Sequence, residues 1–432
     1  MYPPRIPYSF LTLLLLVGFG YAARPRPHSL LKRNPTFSSI ESTSTLTQLV
    51  HLSDLDKNLD YTDAESLLSQ VLVPRAVGST NLPRLQREFE QRFTRLGWHV
   101  EKDTFSTATP IGTRTFTNLV FTHDPRAKRR FVLSAHLDSK YFPTTSPLYG
   151  FVGATDSAVP CALLYDLAES LTPWLNERRD RIERQGGEKG SLDDGNGRGE
   201  QHETLQIVLF DGEEAFQDWT ATDSIYGAKH LVEEWSKPLP NYHNSAVRDG
   251  QKTNLDKISH LVLLDLLGSP DPVVRNFWTA TGWLFDEFLH SERKLEQAGL
   301  LWTDEDDLVT EDKSKHKHKH KHKKRKSFFV DRKSPQSWFG TIEDDHLPFL
   351  KSGVPVVHLI SVPFPQVWHT LADDATALDL DTIKAWALIL RLTVAEYLGL
   401  DPQLAISSPL SPVARDDSQR DKRTSVVGKD EL

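Results

Sequence analysis

The 432-residue chain contains a single cysteine, Cys161. No intramolecular disulfide can form, and no cysteine-rich metal site exists. For a chain with secretory features this is unusual, so stability must come from packing. No Asn-x-Ser/Thr acceptor occurs, because Asn34 is followed by Pro35, and N-glycosylation is not expected. Beyond Ala23 no apolar stretch reaches the ~18 residues that suggest a membrane helix, so no integral membrane segment is expected. An excess of positive charge is also missing: 51 Lys and Arg face 59 Asp and Glu, a formal net charge of −8. That balance favours solubility and argues against a nucleic-acid partner. Charged residues at 25% and hydrophobic residues at 38% are ordinary for a soluble globular chain.

The two ends carry addresses. Residues 1–22 hold Arg5, an apolar run from Phe10 to Phe19, and then Gly20-Tyr21-Ala22. This order predicts a signal peptide. The chain ends Lys429-Asp430-Glu431-Leu432, a retrieval signal read by the KDEL receptor. Together they imply the endoplasmic reticulum lumen. Residues 23–48 read as an N-terminal extension and 404–432 as a flexible tail presenting the signal.

Between them lies one expected domain, residues 49–403. Leu82 to Trp98 has helical spacing, with Leu82, Leu85, Phe89, Phe93 and Leu96 on one face. Ser157–Leu171, Ser224–Trp235, Gly282–Gln297 and Asp379–Leu398 also read as helices. Phe116–Thr122, Phe131–Ser134, Leu205–Phe210, Leu261–Leu266 and Val354–Ile360 read as strands. Alternation of the two predicts a single α/β domain whose central sheet is mixed, largely parallel and flanked by helices. Two stretches lack apolar periodicity, about 178–202 and 311–327. The second contains Lys315-His316-Lys317-His318-Lys319-His320. Both read as solvated insertions unable to order themselves. Histidine-rich tracts sometimes bind metal, but the adjacent lysines repel a cation.

Acids and histidines collect at the ends of the expected strands. Phe210-Asp211-Gly212-Glu213-Glu214-Ala215-Phe216 follows the apolar run Leu205 to Leu209. Neighbouring side chains at a strand end diverge, so one glutamate can bind a metal while the other stays free as a base. Further candidates are His136 and Asp138 in Ser134 to Lys140, Asp156 in Gly153 to Pro160, and Asp265 inside an apolar strand. Glu343-Asp344-Asp345-His346 and Trp368-His369-Thr370 complete the set. Ligands of open α/β sheets bind beyond the carboxyl ends of the strands, and His with carboxylates suits Zn²⁺. Singly, each has a plainer explanation. Asp156 could cap a helix, and Asp265 could be satisfied by backbone donors. Their coincidence favours a metal site.

The runs Phe151 to Ala162, Asp211 to Phe216, Asp344 to Phe349 and Pro363 to Thr370 resemble, in this order, the signatures of glutaminyl-peptide cyclotransferases. The likeness spans roughly residues 50 to 400. It implies a fold similar to dinuclear zinc aminopeptidases with one catalytic zinc, and conversion of N-terminal glutamine, more slowly glutamate, into pyroglutamate. By the same resemblance the zinc ligands fall on Asp156, Glu214 and His369. The acid/base falls on Glu213, the supporting acids on Asp265 and Asp344, and the aromatic pocket on Trp219, Phe364 and Trp368. His136 corresponds to a second-metal histidine of the related aminopeptidases. Two departures stand out. Many secreted members pair the cysteine matching Cys161 with one at the position of Ala135, so that bridge is absent. The family's frequent glutamine before the aspartate pair is Glu343, a pocket residue whose charge bears on substrate preference.

The resemblance implies peptides and proteins with N-terminal Gln or Glu as partners, and a monomeric chain is expected. Two other functions fit the residues less well. A dinuclear aminopeptidase would need two metals and an activated water. A non-catalytic lumenal binding protein would be marked by loss of Glu213 or a ligand, and none is lost.

Overall fold

A computed structural model describes residues 37–186, 203–239, 253–302, 325–334 and 342–400. The expected signal peptide, flexible tail and retrieval signal lie outside the described residues. In chain order the elements are α1 (Thr43–Val50), α2 (Leu55–Leu59), α3 (Leu67–Val71), α4 (Asn81–Arg95), β1 (His99–Thr109), β2 (Gly112–Thr122) and β3 (Arg129–His136). There follow α5 (Val159–Gly186), β4 (Glu203–Phe210), α6 (Tyr226–Trp235), β5 (Ile258–Asp265), α7 (Gly282–Gln297), α8 (His346–Lys351), β6 (Val356–Ile360) and α9 (Leu380–Leu398).

The strands form one six-stranded sheet in the order β1-β2-β4-β3-β5-β6. Strands β4, β3, β5 and β6 run parallel, and β2 and β1 continue the sheet antiparallel. The α/β class and the mixed, largely parallel sheet are thus as expected. Strands β3 to β6 are apolar because helices cover both faces. Leu133, Ile207, Leu264 and Leu359 pack in the core with α5, α7 and α9. Their neighbours Val132, Val208, Leu263 and Val356 join a second core with α6 and α8. Each fully buried side chain of this kind contributes about 1.5–3 kcal/mol.

Strand β1 escapes sequence reading because its side chains are exposed or half-buried throughout. Helix α5 outruns its expected end at Leu171. Beyond Pro173, Trp174 and Leu175 continue the buried stripe of Leu171 and carry the helix to Gly186. The first insertion therefore does not start at 178: Arg178 is buried and donates from Nη1 to Glu203 O at 2.7 Å. The second does not extend to 327. Arg325 lies over the Trp302 ring at 4.6 Å, and Phe328 N donates to Glu292 Oε1 at 2.7 Å. Nor does the packed domain wait until residue 49, because Ser38 N and Ile40 N both donate to Glu396 and α1 buries Leu46 and Leu49. Among the described residues no helix is long and apolar enough to cross a membrane.

Candidate active site and metal centre

From β3 the chain passes through α5 to β4 on one side, then returns to β5 on the other. That reversal places a crevice at the carboxyl ends of β3, β4 and β5, the position where doubly wound sheets bind ligands. His136 closes β3, Phe210 precedes the paired glutamates, and Asp265 closes β5.

The Glu213-Glu214 turn is held by backbone bonds. Asp138 Oδ1 accepts from Gly212 N (2.9 Å) and Glu213 N (3.1 Å), and Oδ2 accepts from Glu214 N (3.3 Å). Ile225 N donates to Glu213 O and Tyr226 N to Gly212 O, each at 2.7 Å. Gly212 has φ +76°, and a Cβ there would lie 2.4 Å from the Phe116 ring, so glycine is required. Asp223 accepts from Phe216 N, Gln217 N and Asp218 N and sets the loop that carries Trp219.

Asp156, Glu214 and His369 meet from three separate loops, with one donor atom of each within 4.8 Å of the others. His369 Nε2 stands 3.3 Å from Asp156 Oδ2 and 3.3 Å from Glu214 Oε1. Glu214 Oε1 is buried without a hydrogen-bond partner in the chain. A buried carboxylate oxygen facing an imidazole and a second carboxylate fits a cation, and two oxygens with one nitrogen suit Zn²⁺ with a position left for substrate. His369 adopts φ 55°, an uncommon conformation for a non-glycine residue. Trp368 stacks on its ring at 3.9 Å, and Phe151 meets it edge-on at 6.1 Å.

A second group shares Asp156. His136 Nε2 lies 2.9 Å from Asp156 Oδ1 and 3.4 Å from Asp265 Oδ1. Asp265 also accepts from Ser157 Oγ (3.2 Å) and Leu266 N (2.8 Å). Burial pushes its carboxyl up to about 6, with Asp156 and Asp344 adding and His136 opposing. Asp344 belongs to a third group with His346 and His358. His358 Nε2 lies 2.8 Å from Asp344 Oδ2, and although burial opposes ionisation this contact holds the Asp344 carboxyl below its usual range. Burial and the His358 charge push His346 down to about 3.

Glu213 is buried outside the Asp156–Glu214–His369 set. Burial pushes its carboxyl well above the usual range. His136 opposes this, while the charges of Asp344, Glu214 and Asp345 add to it. Asp344 acts on this carboxyl through its charge, and Asp265 faces His136 instead. The pocket residues arrive as two pairs. Trp219 Nε1 donates to Glu343 Oε2 at 3.1 Å, and Phe364 meets Trp368 edge-on at 5.0 Å. Trp219 and Trp368 are each 40% exposed, so both rings are open to solvent.

Several site residues had no assigned role from sequence. Arg75 is fully buried and donates to the carbonyls of Leu137, Val152, Gly153 and Asp156, tying the β3 end to the Asp156 loop. Asp373 accepts from Thr155 N (2.8 Å) and Thr155 Oγ1 (3.0 Å), joining the His369 loop to the same segment. Lys140 Nζ donates to Glu214 Oε2 at 3.0 Å. Cys161, without a disulfide partner, donates its thiol to His136 O at 3.1 Å.

The fold and this cluster define a zinc-peptidase-like α/β enzyme. Residues 118–394 match Peptidase family M28. A zinc-dependent exopeptidase from Parabacteroides distasonis shares the fold, with a TM-score of 0.51 and 16% identity over 84% of this chain and 99% of that one. Within this class the chain belongs to the glutaminyl-peptide cyclotransferases. It is 36% identical over 409 residues to the glutaminyl-peptide cyclotransferase of Bos taurus, covering 92% of this chain and 98% of the relative. The crystal structure of Macrostomum lignano glutaminyl cyclase matches with a TM-score of 0.66 and 33% identity, over 88% of this chain and 100% of that one.

Proposed function

We propose that this chain converts N-terminal glutamine, and more slowly glutamate, of peptides and proteins into pyroglutamate. One zinc would be held by Asp156, Glu214 and His369, and Glu213 would act as acid and base. The substrate α-amine attacks its own γ-carbonyl carbon, the bond to the side-chain nitrogen breaks, and ammonia leaves. The reaction is intramolecular, so it gains from orientation within the pocket. Zinc bound at this site supplies Lewis-acid polarisation of the γ-carbonyl. Glu213 takes the proton that the amine loses and returns it to the departing nitrogen. A carboxyl pushed up by burial is suited to both transfers. Trp219, Phe364 and Trp368 orient the substrate.

The observation that carries this reading is the division at the end of β4. Glu214 joins Asp156 and His369, whereas Glu213 is buried beside them and free of the set. The test is ammonia release from an N-terminal Gln dipeptide, together with zinc content. Release of ammonia with near one zinc per chain supports the proposal. A second reading, a dinuclear aminopeptidase, is favoured by the His136, Asp156 and Asp265 group. Near two zinc ions per chain and release of a free amino acid would favour that reading instead.

We also propose residence in the endoplasmic reticulum lumen, supported by the two terminal signals. Loss of Lys429 to Leu432 should then send the enzyme to the medium with its purified activity intact. Continued retention would reject the retrieval reading.

A further inference from the structure

Lysine rarely lies inside a protein unless paired, yet the Lys140 side chain is only 15% exposed. It follows β3 on the same segment as His136 and Asp138, and it points at the Glu213-Glu214 turn. Its ammonium donates to Glu214 Oε2 at 3.0 Å and to Ala215 O at 3.2 Å. The two oxygens of Glu214 are therefore unequal. Oε2 is engaged, while Oε1 has no donor and faces His369 Nε2 at 3.3 Å.

We propose that Lys140 is a positioning residue that makes Glu214 a one-oxygen metal ligand, by occupying Oε2 and leaving Oε1 to the ion. This rests on the metal site proposed above. A carboxylate can bind a metal through one oxygen or through both. With both, Glu214 would fill the position that the substrate carbonyl needs. Two supports fix the ligand from opposite ends: Asp138 holds the Glu214 amide, and Lys140 holds the outer carboxylate oxygen and the next carbonyl. Outer partners of metal ligands typically change metal affinity or activity by about 10–100-fold when removed. The lysine also places a positive charge beside Glu214, so the pair enters the site nearly neutral.

The probe is cobalt(II), taken up by the full chain in place of zinc. Visible absorption reports coordination number, since four-coordinate cobalt absorbs far more strongly than five- or six-coordinate cobalt. Wild type should give the strong four-coordinate spectrum. K140M should give a weaker spectrum of higher coordination, as Oε2 joins the ion, and should lose about 10–100-fold in kcat/KM. K140R, which restores a charged donor, should recover the wild-type spectrum and much of the rate. Were K140M unstable by thermal melt, K140Q offers a shorter neutral chain with the same expected readout. Metal bound with the same spectrum in wild type and K140M would overturn this inference alone. Failure of wild type to bind cobalt or zinc would overturn the metal site as well.

Discussion

Asp138→Asn changes no proposed ligand, yet it should damage the site severely. Asp138 accepts three consecutive backbone N–H groups, from Gly212, Glu213 and Glu214. Asparagine can place its carbonyl where Oδ1 stands and keep the first two. Its NH₂ must then replace Oδ2 and confront the Glu214 N–H, donor against donor. A hydrogen bond to a charged group contributes about 1.5–3 kcal/mol, and that one is lost outright. The two that remain lose their charge assistance, and such bonds are roughly twice as strong as neutral ones. The sum is about 2–5 kcal/mol, concentrated on the turn that aims Glu213. Misplacing a catalytic group by ~1 Å can cost ~100-fold in rate. Denaturant unfolding of the zinc-loaded protein gives the first quantity, and kcat/KM on an N-terminal Gln dipeptide gives the second. A D138N protein within about 0.5 kcal/mol of wild type, with undiminished turnover, would show that the turn needs no such support.

Three further outcomes follow from other positions. E213Q should retain zinc and lose at least ~100-fold in rate, the usual scale for a positioned acid/base; near wild-type turnover in a folded, zinc-loaded protein would remove Glu213 from the mechanism. E343Q should raise the rate on N-terminal glutamate relative to glutamine, because the carboxylate on Trp219 Nε1 repels a second carboxylate beside it; an unchanged Gln-to-Glu ratio would separate Glu343 from substrate choice. D166A should destabilise the fold by about 3–5 kcal/mol, since it strands the fully buried Arg391 that donates from Nε and Nη2 to Asp166; measured by denaturant unfolding, a loss below about 1 kcal/mol would mean the pair is dispensable.

Much of the fold was legible because α/β packing writes itself into the chain. The strands β2 to β6 are apolar runs, since both faces or one face are covered, and the helices α4, α6, α7 and α9 show their buried stripe. What failed has identifiable causes. Strand β1 is paired on one side only and keeps its side chains exposed or half-buried, so it has no apolar signature. Helix α5 runs past its expected end at Leu171 because Trp174 and Leu175, beyond Pro173, hold it on the core. The terminal residues of both insertions are polar, yet Arg178 and Arg325 have fixed partners across the fold. Charge predicts solvation only for groups whose partners are not already waiting in space.

The same distinction divides the site. Asp156, Glu214 and His369 were singled out by the resemblance of their motifs to a family's, and the structure brings their donor atoms together. Arg75, Asp138 and Asp373 were not assigned roles because they act on backbone groups, and any residue can supply a carbonyl or an N–H. Their work nevertheless decides the geometry. Arg75 and Asp373 grip the Asp156 loop from two sides, and Asp138 grips the glutamate turn. Asp156 in turn divides its oxygens, Oδ2 toward His369 and Oδ1 toward His136. Were two ions held here, Asp156 is the residue that would belong to both groups. Here Oδ1 lies 2.9 Å from His136 Nε2, a close contact in which Nε2 makes no aligned hydrogen bond. The choice between one metal and two therefore turns on whether His136 meets Asp156 directly or through an ion, and zinc stoichiometry reads that choice without reference to rate.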